Sequence, residues 1–78
     1  MKEEILNLLA EVANDDSIKE NLDCDLFEEG LIDSVTVAEL LVSIEEKFNV
    51  VISPSEIDRN QINTANKIID LTINRIEK

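Results

Sequence analysis

Histidine, tryptophan and tyrosine are absent from these 78 residues, and glycine, proline and cysteine occur once each. Without histidine there is no Ser–His or Cys–His nucleophile pair and no histidine-ligated metal site. With Gly30 and Pro54 alone there is no Gly-rich phosphate loop, and tight hairpins lack the residues they need. Cys24 cannot build a disulfide framework by itself. It lies in a polar stretch, with no neighbour in sequence to activate its thiol. Cations are also scarce: seven Lys and Arg stand against eighteen Asp and Glu, giving a net charge of −11. Sequence-independent nucleic-acid binding and attachment to anionic membranes are both disfavoured, because each needs cations to displace counterions. No stretch approaches the ~20 apolar residues of a membrane-spanning helix. Lys2 is followed at once by Glu3 and Glu4, unlike a secretory signal. With the single thiol, these features predict a cytoplasmic setting.

What is present is aliphatic. Hydrophobic residues make up 44% of the chain, and Phe27 and Phe48 are the only aromatics among them. A chain of this length makes one domain, 1–78, whose stability must come from packed Leu, Ile, Val and Ala. The charge is uneven. Residues 1–30 carry −8 and residues 31–49 carry −3, while residues 50–78 are balanced. A basic protein surface is the natural complement of the acidic part. Solubility alone is the competing explanation for the overall excess.

The periodicity predicts a helical fold. Ile5, Leu8, Leu9 and Val12 form one stripe of a first helix over 2–14, which the turn-forming residues 14–17 end. Residues 15–32 form a long connection, pinned to the core by Ile18, Leu22, Leu26 and Phe27, with a backbone turn at Gly30. A second helix runs over 34–48 with Asp33 as its N-cap. Its core face is Val37, Leu40, Leu41, Ile44 and Phe48. Residues 49–52 are extended or irregular. Ser53, Pro54 and Glu56 have the spacing to restart a short third helix with a capping box, ending near Arg59 or Asn60. Thr64 caps a last helix whose buried positions are Ile68, Leu71, Thr72 and Ile76, with Ala65 and Ile69 at the margin. The expected fold is all-α: a small four-helix bundle with a long first loop and a short third helix.

Catalytic and metal chemistry find little support. The adjacent acids Glu28 and Glu29 read as solvated surface rather than an acid–base pair. Aligning Gly30 with the turn glycine of a calcium loop puts Phe27 at the third ligand position and Thr36 at the twelfth, where oxygen ligands and a bidentate Glu are required. No enzyme active site and no metal site are expected.

Ser34 is the exception. A serine with no base nearby in sequence is a poor nucleophile for catalysis but a suitable attachment point for a group that another enzyme installs. In the first turn it lies at the positive end of the helix dipole, where a phosphodiester is favoured. A helix cap and nothing more is the simpler reading of Asp33-Ser34 taken alone. Beyond it, Val35, Ala38 and Val42 share a second helix face outside the core stripe, bordered by Glu39, Glu45 and Glu46. That strip fits a docking surface for basic partners.

Asp33-Ser34-Val35, followed by Val37, Glu39, Leu40, Ile44, Glu45 and Phe48, resembles the prosthetic-group segment of acyl and peptidyl carrier proteins. The run Leu26 to Ser34 more narrowly resembles D-alanyl carrier proteins, as do residues 56–59 and 63–68. The chain departs from that pattern at Ile57, Ile62 and Ala65, where a phenylalanine, a tryptophan and a proline are usual. The resemblance covers essentially the whole chain. It implies that Ser34 carries 4′-phosphopantetheine transferred from coenzyme A by a phosphopantetheinyl transferase, with Asp33 helping to bind that enzyme or its cofactor. It also implies that Val35, Ala38, Glu39, Val42 and Glu46 contact partners. The implied cargo is D-alanine, loaded by an ATP-dependent carrier ligase and delivered to membrane acyltransferase machinery for D-alanylation of (lipo)teichoic acid in a Gram-positive cell wall. The carrier itself would be a monomer that does not enter the membrane. Two alternatives stay open: other cargo, in fatty-acid, polyketide or nonribosomal peptide synthesis, and an acidic helical protein that mimics nucleic acid.

Overall fold

The computed structural model describes residues 1–77, apart from the side chain of Pro54. Among the described residues three α-helices organise the fold: α1 (Lys2–Ala13), α2 (Ser34–Phe48) and α3 (Ala65–Glu77). Three short 3-10 turns, Asp16–Glu20, Pro54–Glu56 and Arg59–Gln61, lie in the connections, and no strand occurs among the described residues.

Helix α1 packs against both α2 and α3. Its buried residues Ile5 and Leu9 meet Leu40, Leu41 and Ile44 of α2 and Ile68 and Ile69 of α3 in one aliphatic core, and Ala10 is buried as well. Each large side chain buried there contributes roughly 1.5–3 kcal/mol relative to exposure. Ile18, Leu26 and Ile32 of the first connection join this core, as do Ile52 and Ile62 of the second. The expected pinning of the long loop by Ile18 and Leu26 is therefore met, with Leu22 and Phe27 packed at the margin.

Asparagine ends two of the helices. Asn14 after α1 (φ 56°) and Asn49 after α2 (φ 58°) adopt the left-handed conformation in which glycine is the usual residue. The Asn49 N–H donates to the Glu45 carbonyl at 2.9 Å. Asparagine tolerates this region better than most residues with a Cβ, so a chain with one glycine still closes its helices. The glycine itself sits at φ +72° at Gly30, where the turn before α2 was expected.

Three expectations need correction. The short third α-helix is not formed. The segment makes two separate 3-10 turns, because Ile57 (φ −124°, ψ 146°) and Asp58 (φ −101°, ψ 157°) are extended between them. The capping box from Ser53 to Glu56 is absent as well. Ser53 Oγ accepts instead from the Ser55 N–H, and the Glu56 carboxylate accepts from Arg75 on α3 at 3.0 Å. In α3 the buried set is Ala65, Ile68, Ile69 and Thr72, while Leu71 and Ile76 are only half-buried. The core-facing stripe is thus rotated by about one residue from the expected centre. The buried Thr72 hydroxyl is satisfied by donating to the Ile68 carbonyl at 2.8 Å.

Candidate functional site

Ser34 is the first residue of α2 and is exposed. Asp33 precedes it in an extended conformation (φ −143°), and its Oδ1 accepts from the Thr36 N–H at 2.9 Å and the Thr36 hydroxyl at 3.1 Å. These bonds, the Thr36 amide first, hold the Asp33 carboxyl below its ordinary range. Asp33 is therefore ionised and committed to capping, which makes it a poor acceptor for the Ser34 proton. Among the described residues no side chain holds the Ser34 hydroxyl. The nucleophile is thus open but has no base of its own, and a reaction at this oxygen requires a base from another molecule.

The turn that delivers Ser34 is held from below. Leu31 and Ile32 N–H groups both donate to the Leu26 carbonyl, at 2.9 and 3.3 Å. Leu26 is buried, and its own N–H donates to the Asn63 carbonyl at 2.7 Å. Asn63 Nδ2 donates to Asp25 Oδ2 at 3.1 Å, and Asn66 Nδ2 donates to Asp23 Oδ1 at 2.7 Å. The first connection is thereby fastened to the start of α3. Amide bonds, led by that from Glu28, lower the Asp25 carboxyl, and burial opposes them.

The expected partner strip faces outward. Val35 and Val42 are 66% and 55% exposed, and Ala38, Glu39 and Glu46 are exposed beside them. Val37, Leu40, Leu41 and Ile44 turn inward as expected, with Val37 at the margin of the core.

Beside Ser34, and reaching Ala38 at the edge of the strip, lies an open groove of about 590 Å³, which the sequence reading missed. Its walls come from both connections and the first turns of α2: Phe27, Ile32, Val37, Ile57, Arg59 and Ile62. Arg59 stacks over the Phe27 ring, 4.2 Å from its centroid. The only signal available beforehand was that Phe27 is one of two aromatic residues, and core packing explained it equally well.

These features fit a covalently attached phosphodiester: an accessible hydroxyl, the positive end of a fifteen-residue helix, and open space beside it. Comparison with known proteins agrees. The family model described as the phosphopantetheine attachment site matches residues 3–71.

The chain belongs to this phosphopantetheine-attachment family.

Among its relatives are D-alanyl carrier proteins from Bacillus velezensis and Bacillus subtilis, each 48% identical over 69 residues and 88% of both chains. Another, from Lactococcus lactis, is 47% identical over 68 residues, covering 87% of this chain and 86% of its own. The cofactor of this carrier family is 4′-phosphopantetheine. Among the described residues no helix is long and apolar enough to cross a membrane, and no group of three or more Cys, Asp or Glu is placed to hold a metal ion.

Proposed function

We propose that the chain is a single carrier domain that holds D-alanine as a thioester on a 4′-phosphopantetheine arm at Ser34 and delivers it for D-alanylation of teichoic acid. The observation that carries this reading is the exposed Ser34 hydroxyl at the start of α2, inside a family match that spans residues 3–71. The cargo is supported by the relatives named D-alanyl carrier proteins.

Ser34 Oγ attacks the pantetheine-linked phosphate of coenzyme A, the phosphoanhydride bond breaks, and adenosine 3′,5′-bisphosphate leaves. The serine proton passes to a base of the transferase, since this chain offers none. Once bound, the arm supplies a flexible thiol to which an adenylate-forming ligase transfers the amino acid. The helix dipole of α2 favours the phosphodiester. Asp33 keeps the first turn formed and presents a negative charge to the transferase. Val35, Ala38 and Val42 give an apolar contact, and Glu39 and Glu46 pair with basic residues of partners. The chain catalyses no step itself. An acidic protein that only mimicked nucleic acid would have no use for an accessible Ser34.

The test is incubation with a phosphopantetheinyl transferase and coenzyme A, followed by intact-mass analysis. One added phosphopantetheine is expected, and none on Ser34→Ala, whose thermal midpoint should match the parent because Asp33 still caps α2. ATP-dependent loading of the holo protein by a D-alanine carrier ligase then tests the cargo. Loading with another amino or fatty acid, and not with D-alanine, would overturn the cargo assignment.

A further inference from the structure

The groove beside Ser34 holds a charge that the attachment reading does not use. Arg59 is the only cation lining it among the described residues, in a chain of net charge −11. Its place is fixed from two sides. The guanidinium lies 4.2 Å from the Phe27 ring centroid, within the range of a cation–π contact. Its backbone opens the turn Arg59–Gln61, where Gln61 Oε1 accepts from the Asp58 N–H at 2.8 Å and the Ile62 N–H donates to the Arg59 carbonyl at 3.2 Å. Among the described residues no carboxylate comes within ion-pair distance of it; the two salt bridges are Lys19–Asp16 and Arg75–Glu56. Stacking on an aromatic face leaves the edge N–H donors of a guanidinium directed sideways and available, in a fork that matches a phosphate. A new anion on Ser34 would be repelled by Asp33 and by the acids of the outer α2 face. Arg59 is the attraction that opposes this within the groove Ser34 lines.

The geometry points to Arg59 as a positioning residue for the arm: its guanidinium pairs with the phosphodiester at Ser34 and draws the first part of the arm across Ile57 and Ile62, away from the Val35–Val42 strip. This rests on attachment at Ser34. The consequence is that the groove seats the resting arm and leaves Val35 and Val42 clear for partners, with Ala38 where groove and strip meet. Arg59 is exposed, so the pairing is worth about fivefold in occupancy at most, and salt weakens it.

The experiment compares apo and holo forms of the parent, Arg59→Gln and Arg59→Lys by NMR. In the parent, attachment should shift the Arg59 Nε–H and the ³¹P resonance, and cross-peaks should link the arm's geminal methyls to Ile57 and Ile62. Salt at about 1 M, where the Debye length is about 3 Å, should reduce these effects. In Arg59→Gln the cross-peaks should fall severalfold while the apo thermal midpoint is unchanged. Arg59→Lys should recover part of them through its point charge. If Ser34 is modified but the Arg59 Nε–H does not move, or the cross-peaks survive intact in Arg59→Gln, the positioning role is overturned and the carrier reading stands. If Ser34 takes no arm from any competent transferase, both fall.

Discussion

Along α2 the two faces are built from the same kind of side chain and end in opposite surroundings. Leu40, Leu41 and Ile44 are 2%, 7% and 1% exposed, while Val35 and Val42, on the same helix, are 66% and 55% exposed. Hydrophobicity alone does not separate them, so the difference is one of angle around the helix. The inner residues lie in the core that α1 shares, whereas nothing among the described residues covers the outer ones. Scattered exposed valines are ordinary on any surface. Here, though, they share a helix face with each other just beyond Ser34, flanked by the exposed acids Glu39 and Glu46. The inner face holds the domain together, and the outer face is the one we propose for contact with other molecules.

The sharpest way to break this comparison is to damage each face in turn. Ile44→Ala should cost about 2–5 kcal/mol, or roughly 10 °C or more in Tm for a domain of this size, read by circular dichroism on heating. Val42→Glu should change stability by no more than about 0.5 kcal/mol. It should weaken binding to the transferase or ligase about tenfold, as loss of an interface anchor does, measured by titration calorimetry. Unfolding of Val42→Glu, or normal stability in Ile44→Ala, would reverse the assignment of the faces.

Smaller effects concern what holds the start of α2 in place. Asn63→Ala removes the side-chain bond to Asp25, so hydrogen exchange at the Leu26, Leu31 and Ile32 amides should quicken about tenfold, while exchange at the centre of α1 stays nearly unchanged. Acid should act in the same region and at the turn that follows α1. The Asp33 and Asp25 carboxyls are lowered chiefly by the amides of Thr36 and Glu28, and Asp15 chiefly by the Ser17 hydroxyl. A lowered folded value means that each contribution is complete above the unfolded value and is lost as pH falls through the folded one. Urea midpoints should therefore hold steady near neutrality and drop below about pH 4. Asp33→Asn, which still caps, should flatten part of that fall. Least of all, Glu56→Gln breaks an exposed pair with Arg75 and should cost no more than about 0.5 kcal/mol.

Much of this was legible beforehand because it is periodic or local. The bounds of α2, its Asp33 cap, its inner stripe and its outer strip follow from a 3.6-residue repeat and from a carboxylate three residues before the amide it accepts from. The third-helix expectation failed for a tertiary reason. Pro54 and Glu56 suit a helix start, but Glu56 is drawn to Arg75, nineteen residues on, and Ile57 leaves the helical region as it packs against the core. In α3 the centre of the buried stripe shifted because Ala65 and Ile69, marginal by pattern, join Ile68 in the core while Leu71 stays at its edge. The Phe27–Arg59 stack had no pattern to betray it.

By itself the sequence determined that this chain is helical, that a serine opens the second helix behind an acidic cap, and that the helix turns an apolar strip with carboxylate borders to the outside. Each of these depends on residues within a few positions of one another, where the geometry of one helix is enough. Only the tertiary structure decided the groove beside Ser34 and the fastening of the first connection to α3. Phe27 meets Arg59 there, Asp25 meets Asn63 across 38 positions, and Asp23 meets Asn66 across 43. Such neighbours share no period and come together only when the aliphatic core closes the loops between them.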